Sequence, residues 1–368
     1  MKSVKPGSMS MLWLGVFVFA IAALGHAVSP SSAKSYAPPR ALDGKPDLSG
    51  VWSNASVTNL TRGLNVEKLV VTRAEAETIV KANPFQRLIE AEDGPSDLND
   101  NLLKDNNSDR GYNAFWIDPG SSLATVKGQY RTSWIVEPPN GQMPISPEGR
   151  QRLLADRASR QQTMFHGPEA LPLPERCLIG FSGAGGPGML NTIYNNNYQI
   201  IQSPNSIAIV VEMVHDTRVI PLFKDKVTAQ ASHAPATLGK WLGDSVGWWE
   251  GDALVVEVIH PNPQQGRSGP IFLSDKGKVT ERFTRVAPTQ ILYEFKVEDS
   301  AYYSQSWRVE MSLNKRDESI YEYACHEGNY AMEGILRGAR LQESQGIKPT
   351  AGPGIFGTPI PEKAGGSR

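Results

Sequence analysis

The chain has 368 residues, with 37 Lys and Arg against 38 Asp and Glu, 40% apolar residues and eight Trp. That apolar content supports a folded core, and the length suits one large domain or two ordinary ones. The near-balance of charge leaves no basic surplus for a polyanion, so nucleic acid is excluded as an expected partner.

Lys2 and Lys5 precede an uncharged apolar run over 11–24, and Gly25 and Ala27 supply the small residues of a cleavage site. This order is that of a secretory signal over 1–27. The run is shorter than the ~20 apolar residues of a spanning helix. Nothing downstream approaches that length, so a periplasmic or secreted protein with no membrane span after signal cleavage is expected. Residues 28–46, rich in Ser, Pro and Ala, read as a flexible leader, and the tail over 344–368 reads as disordered.

Between them a single β-rich domain is expected over 47–343, a mixed helix and loop part (47–162) followed by a barrel part (163–343). Thr72 caps a helix over 73–82 that Pro84 stops. Ser146, followed by Pro147 and Glu148, starts a second that runs to about 161. The Asn- and Asp-rich stretch 93–109 reads as a long loop. The stretch 183–188 carries the letters of a dinucleotide-binding turn, G-x-G-x-x-G, but Pro187 interrupts it and a β-like segment follows. It is read as a flexible loop beside a pocket, and no cofactor is expected.

From Tyr198 onward the period is two. Ile207, Ile209, Val211 and Met213 alternate with Ser206, Ala208, Val210 and Glu212. Leu254, Val256 and Val258 form a second face, Ile291, Tyr293, Phe295 and Val297 a third, and Trp307, Val309, Met311 and Leu313 a fourth. Such runs, divided by turns like Glu250-Gly251-Asp252 and few helices, predict a mainly β fold. We expect an antiparallel meander closing into a barrel or sandwich, with a few peripheral helices.

Cys177 and Cys325 are the only cysteines, and in an oxidising compartment an even pair reads first as a disulfide. Two buried free thiols are the alternative. His215 and His260 extend apolar strand faces, which places their imidazoles at a barrel mouth, a common ligand site. Alternation along a strand turns His215 away from Asp216 and Arg218, and puts Glu212, Asp216 and Arg218 on one face as ion pairs. His326 and Glu327 follow Cys325, so a disulfide would bring them close to Arg176. The acid–base candidates are therefore His215, Asp216, His326 and Glu327. The ligand-binding candidates are Tyr194, Asn197, Arg218, Trp249, His260 and Tyr293. The spacings of zinc, calcium and paired-cysteine sites are missing, so no metal is expected.

Several motifs occur together: PDLSGVW over 46–52, TSWIVEPPNG over 132–141, ERC over 175–177 and EMVHDTR over 212–218. They continue with GDS over 243–245, WEGDALVVE over 249–257, ERFTR over 281–285 and YACHEGN over 323–329. Together they resemble a large family of secreted bacterial β-barrel-like (lipocalin-like) proteins, over most of residues 46–343. The resemblance implies a periplasmic barrel, often in bacteria that degrade aromatic and plant-derived compounds, and carries over no catalytic residue. This chain departs from the pattern at Glu137 and Asn140, where aspartates are more usual, and at Ala253, where Thr is.

The expected function is cofactor-independent acid–base chemistry on a small aromatic or phenolic molecule: a lyase, decarboxylase, isomerase or hydrolase. A non-catalytic, lipocalin-like carrier of an apolar ligand is the first alternative, and an envelope scaffold the second. Oligomeric state is not legible in the sequence.

Overall fold

The period-two segments pair edge to edge in one sheet that closes on itself. The computed structural model describes residues 36–86, 118–265 and 269–349. The signal segment 1–27, the loop expected over 93–109 and the tail beyond 349 lie outside the described residues.

In chain order the elements are β1 (Gly50–Ser53), β2 (Val70–Val71), α1 (Arg73–Lys81), β3 (Thr125–Val126), β4 (Gln129–Arg131), β5 (Ile135–Glu137) and α2 (Pro147–Thr163). Then come β6 (Asn197–Gln202), β7 (Ser206–Val211), β8 (Thr217–Phe223), α3 (Lys226–Ala231), β9 (Asp244–Glu250) and β10 (Ala253–Ile259). The last are β11 (Lys278–Ala287), β12 (Gln290–Glu298), β13 (Trp307–Arg316) and α4 (Tyr330–Ser344). The barrel runs β1-β6-β7-β8-β9-β10-β11-β12-β13 and closes from β13 back to β1. Neighbours are antiparallel except β8 and β9, which pair in parallel at Leu222↔Gly247 and Phe223↔Trp248. A parallel pair needs a crossover, and the segment carrying α3 supplies it. β1, from the N-terminal part, is the closing strand: Val51 faces Gln199 of β6 on one side and Arg316 of β13 on the other.

The four sequence faces turn inward as their period requires. Ile207, Ile209, Val211, Val256, Ile291, Tyr293, Val297, Val309, Met311 and Leu313 have no exposed surface, and their partners on the same faces are nearly as buried. A barrel of about eight strands is just wide enough for side chains to fill. This one has nine, and large rings take up the added width. Tyr293 stacks on Phe283 at 4.7 Å, and Trp307 meets Tyr303 edge-on at 5.5 Å. Trp52, Trp134 and Tyr198 complete a solid interior.

The glycine-rich stretch is part of that interior, which corrects its expected role as a flexible loop. Residues 184–190 are buried. Gly188 N–H donates to Glu281 Oε1 at 3.2 Å, Met189 N–H donates to the Tyr293 hydroxyl at 2.9 Å, and the Ala184 carbonyl accepts from the Tyr198 hydroxyl. Gly188 has a φ of +76°, and a Cβ there would stand 2.7 Å from Ile271 Cδ1. Only glycine lets the backbone approach that closely.

Both predicted helices form. Thr72 and Glu75 make a reciprocal cap on α1, and the Ser146 hydroxyl accepts from Gly149 N–H at the start of α2. Two short stretches depart from expectation. Of the leader, residues 37–46 are folded, with Pro46 buried and Arg40 paired to Asp252 at 2.7 Å. α4 occupies sequence assigned to the barrel part; Met332, Ile335, Leu336 and Ala339 form the i, i+3, i+4, i+7 stripe of an amphipathic helix.

Candidate functional site

The site is built by the covalent bond between distant segments. Cys177 and Cys325 form a disulfide across a separation of 148 residues, with Cα atoms 5.7 Å apart. It holds the segment 321–329 against the 174–177 turn and the start of β6. Asn329 caps α4 through Met332 N–H and donates from Nδ2 to the Glu175 carbonyl at 2.8 Å. Tyr323 lies beside Tyr194, which packs edge-on against Phe181 at 5.2 Å. Burial, with Tyr323 beside it, pushes the Tyr194 phenol well above its ordinary value.

Glu212 stands where β7 ends. It is 3% exposed. Its two oxygens each accept one amide N–H, from Asn195 Nδ2 at 2.7 Å and Asn197 Nδ2 at 2.6 Å. These two amides flank the opening of β6, so the asparagine run reads both as a turn, with Asn195 at φ 52°, and as a cradle for the carboxylate.

The β7–β8 connection is strained. Val214 (φ 60°) and His215 (φ 47°) are both left-handed, and Cys177 (φ 54°) beside them is too. A β-branched residue there is a genuine outlier, costing roughly 1–3 kcal/mol, and such strain gathers at functional sites. The kink turns His215 outward, where its ring centroid lies 6.4 Å from that of His326 at 35°. Both imidazoles are exposed. Asp216 follows, half-buried, and accepts from Gly180 N–H at 3.2 Å. Burial raises its carboxyl to about 6, although that hydrogen bond and the nearby His215 both pull it down.

Beside this group opens a cleft of about 1430 Å³, lined by Tyr194, Asn195, Asn197, Glu212, Tyr321, Tyr323 and Cys325 among others. His215 and His326 do not line it but adjoin residues that do: His215 backbone N–H donates to the Glu212 carbonyl at 3.4 Å, and His326 follows Cys325.

The structure thus sets His215 beside His326 and Asp216, and Tyr194 with Asn197 in the adjoining cleft, with both cysteines bonded. Glu327 is exposed in the turn after the disulfide. Other expected ligand residues lie elsewhere. Arg218 does not pair with Glu212 or Asp216, because a kinked turn replaces the continuous strand that would align them. It points into the barrel and forms a bidentate pair with Glu281, to which the Tyr293 hydroxyl also donates at 2.5 Å. Burial alone would raise the Glu281 carboxyl, but Arg218 and Tyr293 hold it below its ordinary value. Arg218 and Tyr293 are therefore interior residues out of reach of a ligand. Trp249 packs against the core, and its neighbour Trp248 lies under α3 on the outer face. His260 lines a separate cleft of about 730 Å³ with Asp275, Lys278 and Glu298. Among the described residues no group of three His, Cys, Asp or Glu is arranged to hold a metal.

Sequence reasoning missed Glu212 as a site carboxylate, and with it Asn195 and Tyr323. The signal was present in the Tyr-Asn-Asn-Asn run, but only the β6–β7 pairing, Tyr198↔Val211, sets those amides against Glu212. Compared with protein-family models, curated proteins and solved structures, the chain matches none.

Proposed function

We propose that the protein is a periplasmic, cofactor-independent enzyme that moves protons on a small hydroxyl-bearing molecule in this cleft. His215 and His326 act as the acid–base pair. Asp216 sets the charge beside His215, and Glu212 with its two amides orients the substrate. The approach of two imidazoles from segments far apart in sequence carries the reading. Two imidazoles within reach of one substrate can serve as a base and an acid at one place, which suffices for an elimination, an isomerisation or a hydrolysis. A carboxyl that changes charge near pH 6 beside them couples that chemistry to pH. A substrate hydroxyl would find an acceptor in Glu212, which lines the cleft.

The carrier alternative called for an aromatic-lined hollow, and the rings that would line it pack on one another instead. It keeps no observation of its own. The test is turnover of phenols and glycosides by the mature protein, read by mass. His215→Ala and His326→Ala should each lower the rate by roughly 10²–10⁴-fold. Activity indifferent to both changes rules the assignment out.

A further inference from the structure

We infer that the cleft takes a saccharide: an uncharged, hydroxyl-rich chain of a few sugar units. This rests on the cleft being the working site and names what it accepts. Pockets for small organic molecules are mostly apolar and span ~300–1,000 Å³. This one is about 1430 Å³, and none of the described residues lining it is Leu, Ile, Val, Met, Phe or Trp. A flat phenol, with a single hydroxyl, would leave the asparagine amides and carboxylates of that lining without partners, each loss unfavourable. A sugar, whose hydroxyls both donate and accept, replaces the water it displaces.

Two side chains give the inference its specificity. Glu212 is almost fully buried, yet each oxygen takes only one amide N–H, so acceptor capacity remains toward the cleft. A hydroxyl is the donor that completes it without bringing charge. Tyr321 lines the same cleft with 74% of its surface exposed, a flat ring held in water beside hydrogen-bonding groups. Such an amphipathic ring is a platform for the C–H face of a pyranose. Charge narrows the class further. Asp118, Glu175, Glu212 and Glu322 face Lys315 and Arg316, and Arg316 is paired with Glu318 at 3.1 Å. Acidic sugars are therefore repelled.

The experiment is ligand-observed NMR with cellotetraose, xylotetraose and maltotetraose, alongside the uncharged phenols guaiacol and vanillyl alcohol. At least one tetrasaccharide should bind. Glu212→Gln should weaken it about tenfold or more, and the exposed Tyr321→Ala, which leaves the fold alone, several-fold. Binding of an uncharged phenol without any tetrasaccharide, or saccharide binding untouched by both variants, overturns the inference. A tetrasaccharide bound but returned unchanged supports it and sinks the acid–base reading. Conversely, turnover of a phenol that His215→Ala abolishes sinks the saccharide and leaves that reading standing.

Discussion

At Asp216, burial works against a hydrogen bond and a nearby imidazole, and burial wins. The folded carboxyl titrates near 6 against an ordinary 3.8. Because the folded value is the higher one, its favourable contribution is complete below pH 3.8 and is lost as pH rises through 6. Asp216→Asn removes that titration while keeping an oxygen for Gly180 N–H. The variant should gain on the wild type between pH 4 and 8, by up to about 3 kcal/mol for a two-unit shift, reduced by partial exposure. Thermal unfolding across that range measures it; a constant difference would refute the assignment. The buried Arg218–Glu281 pair contrasts with this. There the charges meet each other and the Tyr293 hydroxyl, so the group is a structural fixture of the barrel.

At the scale of elements, the disulfide and α4 act together. The bond closes a loop of 148 residues, which the chain-entropy account values at about 5 kcal/mol. It also carries His326 to His215. A Cys177→Ser, Cys325→Ser double variant should lose stability of that order. Activity should fall even at temperatures where far-UV circular dichroism shows the barrel intact; full activity there would mean that the imidazole pair forms without the bond. The crossover through α3 is pinned differently, by His233, which reaches Asp244 Oδ2 at 2.8 Å while Lys240 holds the other oxygen at 2.5 Å. That arrangement anchors the one parallel strand pair of the barrel to its connection.

Across the whole molecule, barrel closure leaves the interior to rings and to the glycine-rich stretch, and moves the candidate chemistry to the outside. An apolar ligand such as decanoate should therefore not enter: fluorescence of Trp52, Trp134 and Trp307, all nearly without exposed surface, should stay unchanged on titration. Quenching at stoichiometric ligand would show a hollow where the structure has side chains.

Sequence by itself determined the inward faces of the strands, both helix caps and the cysteine pair as the first choice of bond, because each depends on local period or on composition. The glycine-rich stretch was misread, because glycines that permit flexibility also permit close packing, and only the surrounding shell decides between them. His215 and Asp216 were legible as residue types, but their geometry was not: alternation held only to Val211, where the kink at Val214 begins. The meeting of His215 with His326, and of Glu212 with Asn195 and Asn197, was decided by tertiary structure alone. Contacts between segments far apart in the chain depend on strand pairing and a covalent tie, and neither leaves a local trace.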